Sequence, residues 1–351
     1  MPVSVEAADT PRAQADLQRI ERAVYAGDPF HIRSRDPLPT EGAVLIAYDG
    51  GRQPIACCCA RLQTAKPDIG TIGSFQARED KVAVQALLES AVRLLRAQGA
   101  KRVIGPMDGD TWHPYRFNTG PFSERPFVKE PWNPPYYPAL WESAGFSVAE
   151  TYDSFVIDDP AEAADKQARF YQRCCKNGYR FAPITAANYV ETLPVIYGLS
   201  CRIFDRNILY TPITFETFKS LYLPARPLLK KGLSWIACRP DGTPCGYVFT
   251  FPDCADALRA MNGRSGPLAK LRFLLNRRKA TRTCIKTLGV TPETRGSGLS
   301  AALTYLSFQN SLTQGYRQTL MCLMHSANDS RRFGGEADRL FRSYALYEYV
   351  K

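Results

Sequence analysis

Apolar positions along the first part of the chain fall in short strand-like blocks and take helical spacing only in places. Blocks at Gly42–Tyr48 and Gln53–Leu62 flank Asp49-Gly50-Gly51, the turn chemistry of a β-hairpin, and Ile69–Phe75 reads as a third strand. From Lys81 to Gln98, Val84, Leu87, Leu88, Ala91, Leu94 and Leu95 recur with the period of a helix that Gly99 ends. A polar helix near Pro11–Tyr25 comes before them; Lys101–Ile104, a helix around Pro138–Ala144 and a strand near Ser154–Ile157 come after. The order returns beyond Pro160. Helices are predicted over Ala161–Lys176, Ala187–Leu199 and Phe215–Leu221, then a hairpin of Leu233–Cys238 and Cys245–Phe251 turning at Asp241-Gly242. A strand at Arg282–Val290, a glycine-rich loop, a helix from Ala301 to Thr313 and strands at Gln318–His325 and Arg339–Val350 complete the pattern. Both parts run helix, hairpin, strand, loop, helix, strand, which predicts an α/β (α+β) chain whose linker lies near Asp158-Asp159-Pro160.

The 351 residues exceed what one hydrophobic core usually serves, so two domains are expected, 1–160 and 161–351. Usage is ordinary for a globular protein, with 45% hydrophobic and 23% charged residues, which argues against disorder. No apolar run reaches the length of a transmembrane segment, and Met1–Ile20 lacks the basic and apolar regions of a signal peptide, so a cytoplasmic protein is expected. Charge separates the halves. The net +11 resolves into −4 over residues 1–160 and +15 over 161–351. Its densest stretch, Lys270, Arg272, Arg277, Arg278, Lys279, Arg282 and Lys286, contains no acid. It reads either as a solvated basic face or as a surface for an anionic partner: a phosphate-bearing cofactor, an acidic carrier protein, RNA or a membrane surface. The eleven cysteines form no C-x-x-C pair and the three histidines lie far from ligand spacing, so reduced thiols and no metal are expected.

The segment that carries chemistry is Leu288-Gly289-Val290-Thr291-Pro292-Glu293-Thr294-Arg295-Gly296-Ser297-Gly298-Leu299-Ser300. A strand, a turn of glycines and small residues and a helix start let successive N–H groups converge on one spot, which suits a pyrophosphate. Arg295-Gly296-Ser297-Gly298-Leu299-Ser300 resembles the acyl-CoA motif [Q/R]-x-x-G-x-[G/A] of the Gcn5-related N-acetyltransferase (GNAT) superfamily, with Val290 and Pro292 in the preceding V-x-P and Ser300 in place of the last Gly or Ala. The first half is similar in a weaker way. Ile72-Gly73-Ser74-Phe75-Gln76-Ala77-Arg78-Glu79-Asp80 stands where the pyrophosphate loop would be, but its acids at the helix start would repel a phosphate. The whole looks like the tandem GNAT-like proteins of bacteria, a likeness carried also by IGPMDGDTWHPYRF, NPPYY…WESAGF and GGEADRLFRSYALYEYV.

This resemblance implies two tandem GNAT-like domains, each a mixed, mostly antiparallel sheet flanked by helices, the first without a cofactor loop. Backbone amides of Arg295 to Ser300, including Ser297 and Leu299, would hold the pyrophosphate of acetyl-CoA or another acyl-CoA. Leu288, Gly289 and Val290 would pair with its pantetheine, and Asn328 matches an Asn that often contacts the cofactor. The usual Tyr seven residues past that Asn is here Gly335, leaving Tyr344, Tyr347 and His325 as catalytic candidates; the two tyrosines fall on opposite faces of a strand.

GPMDGDTWHPYRF is either a packed aromatic loop or a pocket wall in which Asp108, Asp110, His113 and Arg116 bind substrate. Three functions follow. The first is an acyl-CoA-dependent N-acyltransferase for a small-molecule amine acceptor. The second is an aminoacyl-tRNA- or acyl-carrier-protein-dependent transferase whose partner binds the Lys270–Lys286 patch. The third is a non-catalytic acyl-CoA-binding protein.

Overall fold

A computed structural model describes residues 3–8, 11–32, 41–327 and 338–351. The elements, in chain order, begin with β1 (Ser4–Ala8), α1 (Pro11–Val24), β2 (Ala43–Tyr48), β3 (Pro54–Leu62), β4 (Ile69–Ala77) and α2 (Lys81–Ala97). Then come β5 (Arg102–Gly105), β6 (Phe117–Gly120), α3 (Tyr137–Ser143), β7 (Phe146–Ile157), α4 (Pro160–Lys176), β8 (Arg180–Ile184) and α5 (Tyr189–Phe204). The remainder are α6 (Phe215–Tyr222), β9 (Ser234–Cys238), β10 (Pro244–Pro252), α7 (Ala255–Met261), α8 (Pro267–Asn276), β11 (Arg282–Val290), α9 (Leu299–Thr313), β12 (Gln318–His325) and β13 (Asp338–Tyr349). The basic stretch, for which the sequence pattern predicts no element, holds α8.

Two compact units result. The first comprises residues 1–126, 130–152 and 342–351; the second comprises 127–129 and 153–341. The chain therefore leaves the first unit inside β7 and returns to it at Arg342, inside β13.

In the first unit β1, β2, β3 and β4 pair antiparallel in turn, and β4 pairs parallel with β5 through the α2 crossover. In the second, β8, β9, β10 and β11 pair antiparallel, and β11 pairs parallel with β12 through α9. The two units repeat one topology, as the repeated element order predicts. Each is a mixed, mostly antiparallel sheet.

The first core packs the α2 stripe, Val84, Leu87, Leu88, Ala91 and Leu95, against the strands and an aromatic group of Phe75, Phe117, Tyr137, Trp141 and Tyr347. Phe75 meets Trp141 edge-on at 5.5 Å and Phe117 does so at 5.2 Å, the arrangement ring quadrupoles favour. In the second core α9 is buried along most of its length, with Leu299, Ala302, Leu303 and Phe308 beside Val248, Ile285, Val290 and Met321. Its hydroxyls are paired inside: Thr250 Oγ1 donates to Ser307 Oγ at 3.0 Å. Such pairing offsets the cost of burying them.

Candidate functional site

The site grows from a parting of strands in the second unit. Parallel pairing of β11 with β12 covers only Arg282–Ile285 against Gln318–Met321. On its other edge β11 stays in register with β10 as far as Val290 opposite Gly246, with one bulge that leaves Lys286 as the extra residue. From Lys286 to Gly289 the ladder thus holds one edge, and these residues are half-buried. This edge includes Leu288 and Gly289, with Val290 buried at its end. The end of α5 closes over it. A Cβ on Gly289 would lie 2.5 Å from Ile203 Cγ2, so only glycine permits this approach.

Beyond Val290 the chain turns. Thr291 N–H donates to the Cys245 carbonyl at 2.8 Å and Thr294 Oγ1 to the Thr291 carbonyl at 3.0 Å. Gly296 and Gly298 take φ of +77° and +87°, conformations a side chain disfavours, and carry the loop into α9. Gly298 is the N-cap of α9 and no side chain caps it. Ser297 is committed to the loop: its Oγ donates to the Thr294 carbonyl at 2.7 Å and accepts from Leu299 N–H at 3.3 Å. Arg295 and Gly296 are exposed, Ser297, Gly298 and Ser300 half-buried, and Leu299 is buried as the first anchor of the helix. The result is a helix N-terminus offering amides and a positive dipole end to an anion.

The equivalent helix of the first unit, α2, starts on Asp80, whose carboxylate accepts from Ala83 N–H at 3.0 Å. A negative side chain already serves that N-terminus and would repel a phosphate there.

Arg173 stands at the loop as well. Its Nη2 donates to the Ser297 carbonyl at 2.7 Å, across 124 residues of sequence. No motif marks it; it reaches the loop because α4 lies along α9. Glu293 forms ion pairs with Arg202 at 3.1 Å and Arg239 at 3.3 Å. Hydrogen bonds from its own backbone N–H and from Thr291, together with Arg202, hold its carboxyl below the usual range, so it is ill-suited to accept a proton.

No family model matches the sequence. A protein of Caulobacter vibrioides, named bacterial ceramide synthase, is 21% identical over 287 residues, covering 80% of this chain and 74% of its own. Two solved structures superpose over 99% of this chain. One is a GCN5-related N-acetyltransferase from Sphaerobacter thermophilus (TM-score 0.53, 14% identity, 95% of that chain). The other is a tandem GNAT protein from the clavulanic acid biosynthesis pathway (TM-score 0.53, 11% identity, 98% of that chain). This chain has the tandem GNAT fold.

Within the tandem GNAT fold the catalytic candidates separate. His325 ends β12, four residues beyond the last position paired with β11, and its Nδ1 accepts from Ala327 N–H at 3.2 Å. In the neutral ring this places the proton on Nε2. Tyr344 and Tyr347 lie in the first unit and both are 1% exposed, since this part of β13 is buried on both faces. The Tyr344 hydroxyl donates to Glu130, and the Tyr347 ring packs on Phe117 and Trp141. Burial pushes the Tyr347 hydroxyl well above the usual phenol range, with Glu142 reinforcing it. These placements give both tyrosines packing roles. Asn328 lies outside the described residues.

The four substrate candidates sit on a folded loop of the first unit, where β4 and β5 part. A Cβ on Gly73 would collide with the Asp108 carboxylate and the Met107 carbonyl, so this loop fills the space beside β4. Asp108 Oδ1 accepts from Ser74 Oγ at 2.9 Å, its carbonyl accepts from Arg61, and the Gly109 carbonyl accepts from Gln63 at 2.8 Å. Burial raises the Asp108 pKa above the ordinary carboxyl value, against the pull of Ser74 and Arg61. Arg116 is 8% exposed, its guanidinium 3.8 Å from the Tyr115 ring centre and 3.9 Å from that of Tyr152. Only Asp110 and His113 form a partly exposed polar pair, with Nδ1 and Oδ1 2.8 Å apart. The packed-loop reading therefore suits Asp108 and Arg116.

That pair sets a pH dependence. Its hydrogen bond to Asp110 raises the His113 pKa above 6.5; burial would raise the Asp110 pKa, but the bond and charge of His113 outweigh it and bring it below 3.8. The His113 contribution to stability is complete below the ordinary imidazole pKa and is lost as pH rises through the folded value. The Asp110 contribution is lost as pH falls through its own. A proton NMR titration of His113 is expected to show a midpoint above that of a free imidazole, and Asp110→Asn is expected to lower it.

Cys57 and Cys58 are buried in β3, and burial pushes the Cys57 thiol up to about 12, far from a thiolate nucleophile.

Proposed function

We propose that the protein is an acyl-CoA-dependent N-acyltransferase whose donor site lies in the second unit. The observation that carries this reading is the pairing of a one-sided β11 edge with an α9 N-terminus, begun by Gly298 and bearing no acid, at its end. An extended pantetheine adds to a free strand edge by the same main-chain hydrogen bonds that a further strand would make. A pyrophosphate then meets the amides that follow Arg295, with Arg173 and Arg295 as nearby cations. Bound there, the CoA thioester supplies the activated acyl group.

The chain's own residues do the rest. The bulge at Lys286 turns a backbone group of β11 off the ladder, beside the space where the carbonyl would lie. His325, beyond the parting on β12, would donate a hydrogen bond from Nε2 to the departing thiolate, and the proton that the amine nitrogen loses as the C–N bond forms passes to that sulfur as the C–S bond breaks. An attacking amine must arrive neutral, and Glu293, held by two arginines, does not take its proton.

The test is a calorimetric titration with acetyl-CoA and longer acyl-CoAs, then turnover with a panel of amines. The panel includes a long-chain amino alcohol, because the Caulobacter relative is named a ceramide synthase. Saturable binding with amide formation supports the reading; no binding of any acyl-CoA overturns it. Binding without turnover across the panel favours a sensor.

A further inference from the structure

The sequence presents Lys270–Lys286 as one basic patch, but the fold divides it. Arg282 is buried in an ion pair with Asp253 at 2.7 Å, and Lys286 Nζ donates to the Val128 carbonyl at 3.3 Å. What remains on the surface is α8 with the turn after it, and that surface is not simply basic.

Phe273 seats α8 on a small core of Cys254 and Ala257, and Ala269, one turn before it, is buried too. Leu268, Leu271 and Leu275 recur at spacings of three and four on the opposite side, with Leu274 beside them. Their exposures are 61%, 52%, 59% and 48%. Lys270 and Arg272 flank this row, and Arg264, Arg277, Arg278 and Lys279 stand exposed at its ends. No acid occurs from Asn262 to Ala280. Arg277 and Arg278 also enter the wall of a cleft of about 330 Å³ with Lys230 and Tyr316, whose lining again contains no acid.

A helix that buries two small or aromatic residues and turns four leucines to solvent gains nothing from the leucines in water. Leucines ringed by cations fit the boundary between acyl chains and anionic headgroups, where the apolar row sinks and the cations stay at phosphate level. RNA would use the cations and leave the leucines idle. We infer that α8 and the Arg277–Lys279 turn dock the protein peripherally on an anionic phospholipid surface. Among the described residues no helix is long and apolar enough to cross a membrane, so the attachment lies in the interface. This inference does not depend on the transferase reading.

The experiment is flotation of the full chain with vesicles of phosphatidylcholine, alone or mixed in equal parts with phosphatidylglycerol. Two variants separate the contributions: Leu271→Ser/Leu275→Ser keeps every charge, and Arg277→Gln/Arg278→Gln keeps every leucine. All four positions are exposed, so unchanged thermal unfolding is the folding control. Wild type is expected to float with the mixed vesicles only. The leucine variant should bind roughly tenfold or more weakly, and the arginine variant roughly fivefold more weakly per charge removed. The inference is overturned if wild type ignores the anionic vesicles or if the leucine variant floats as wild type does. It is equally overturned if the leucine row proves to hold a dimer, seen as a halving of sedimenting mass in that variant with no vesicle binding in wild type. Tight, salt-sensitive binding of bulk tRNA that the leucine changes leave intact, again without vesicle binding, also overturns it.

Discussion

Gly298→Glu is expected to weaken acyl-CoA binding roughly hundredfold, about 2.7 kcal/mol, in a calorimetric titration. Three effects act together. Gly298 has φ of +87°, which costs a side-chain-bearing residue on the order of 1 kcal/mol. A Cβ there would lie 2.7 Å from Arg173 Nη2 and 2.7 Å from the Phe170 ring, so the loop must shift. The new carboxylate also stands at the α9 N-terminus, where it would compete with a pyrophosphate for the helix amides, as Asp80 takes the Ala83 amide at α2. Gly296→Glu distinguishes charge from packing, because nothing lies within 4 Å of a Cβ at that position. It carries the same strain of a positive φ as Gly298→Glu but no collision, and is expected to bind roughly tenfold more weakly. If both variants bind as wild type does, the phosphate does not sit on this loop.

Arg342→Met is expected to destabilise the first unit by about 3–5 kcal/mol, read as a shift in chemical unfolding. Arg342 and Glu130 are both 0% exposed and form an ion pair at 2.7 Å. The same guanidinium donates to the carbonyls of Pro121 and Glu124, at 2.5 and 2.6 Å. Removing it strands a carboxylate in the interior with the Tyr344 hydroxyl beside it. Arg342→Met/Glu130→Gln removes the stranded charge and is expected to recover most of the loss. An unfolding curve for the single variant that overlays wild type rules this account out.

Much of the fold is legible where a local period and a global role agree. The apolar spacing from Lys81 to Gln98 locates α2 at Lys81–Ala97, because one stripe of that helix is the first core. Arg282–Val290 and Gln318–His325 are predicted at their observed bounds, the first flanked by the glycine-rich loop and the second running apolar from Leu320 to Met324. The glycine loop is legible because positive φ at Gly296 and Gly298 favours glycine.

Other features leave no periodic trace. β7 starts at Phe146, eight residues before the predicted strand, and its early side chains at Ser147, Val148 and Ala149 are exposed. Its apolar pattern is therefore weak there. α8 is invisible to a stripe argument because its leucines face outward and only Ala269 and Phe273 face in. Arg173 reaches the loop through tertiary packing, and Tyr344 and Tyr347 prove to be core residues because β13 is covered on both faces, not one. Residues joined only by the third dimension carry no signature in their own neighbourhood.

The return of the chain at Arg342 also sets a timetable. Residues 153–341 lie between the parts of the first unit, so a ribosome completes the second unit before it releases the strand that carries Arg342. During that interval Glu130 waits without its cation, and the first unit exists as a sheet lacking one strand. A message that stops short of codon 342 would yield a chain that carries the whole glycine-rich loop and whose first core is open. Such a product would expose the aromatic surface that cellular proteases and chaperones recognise. Placement of ten residues thereby ties survival of the second unit to translation of the closing strand.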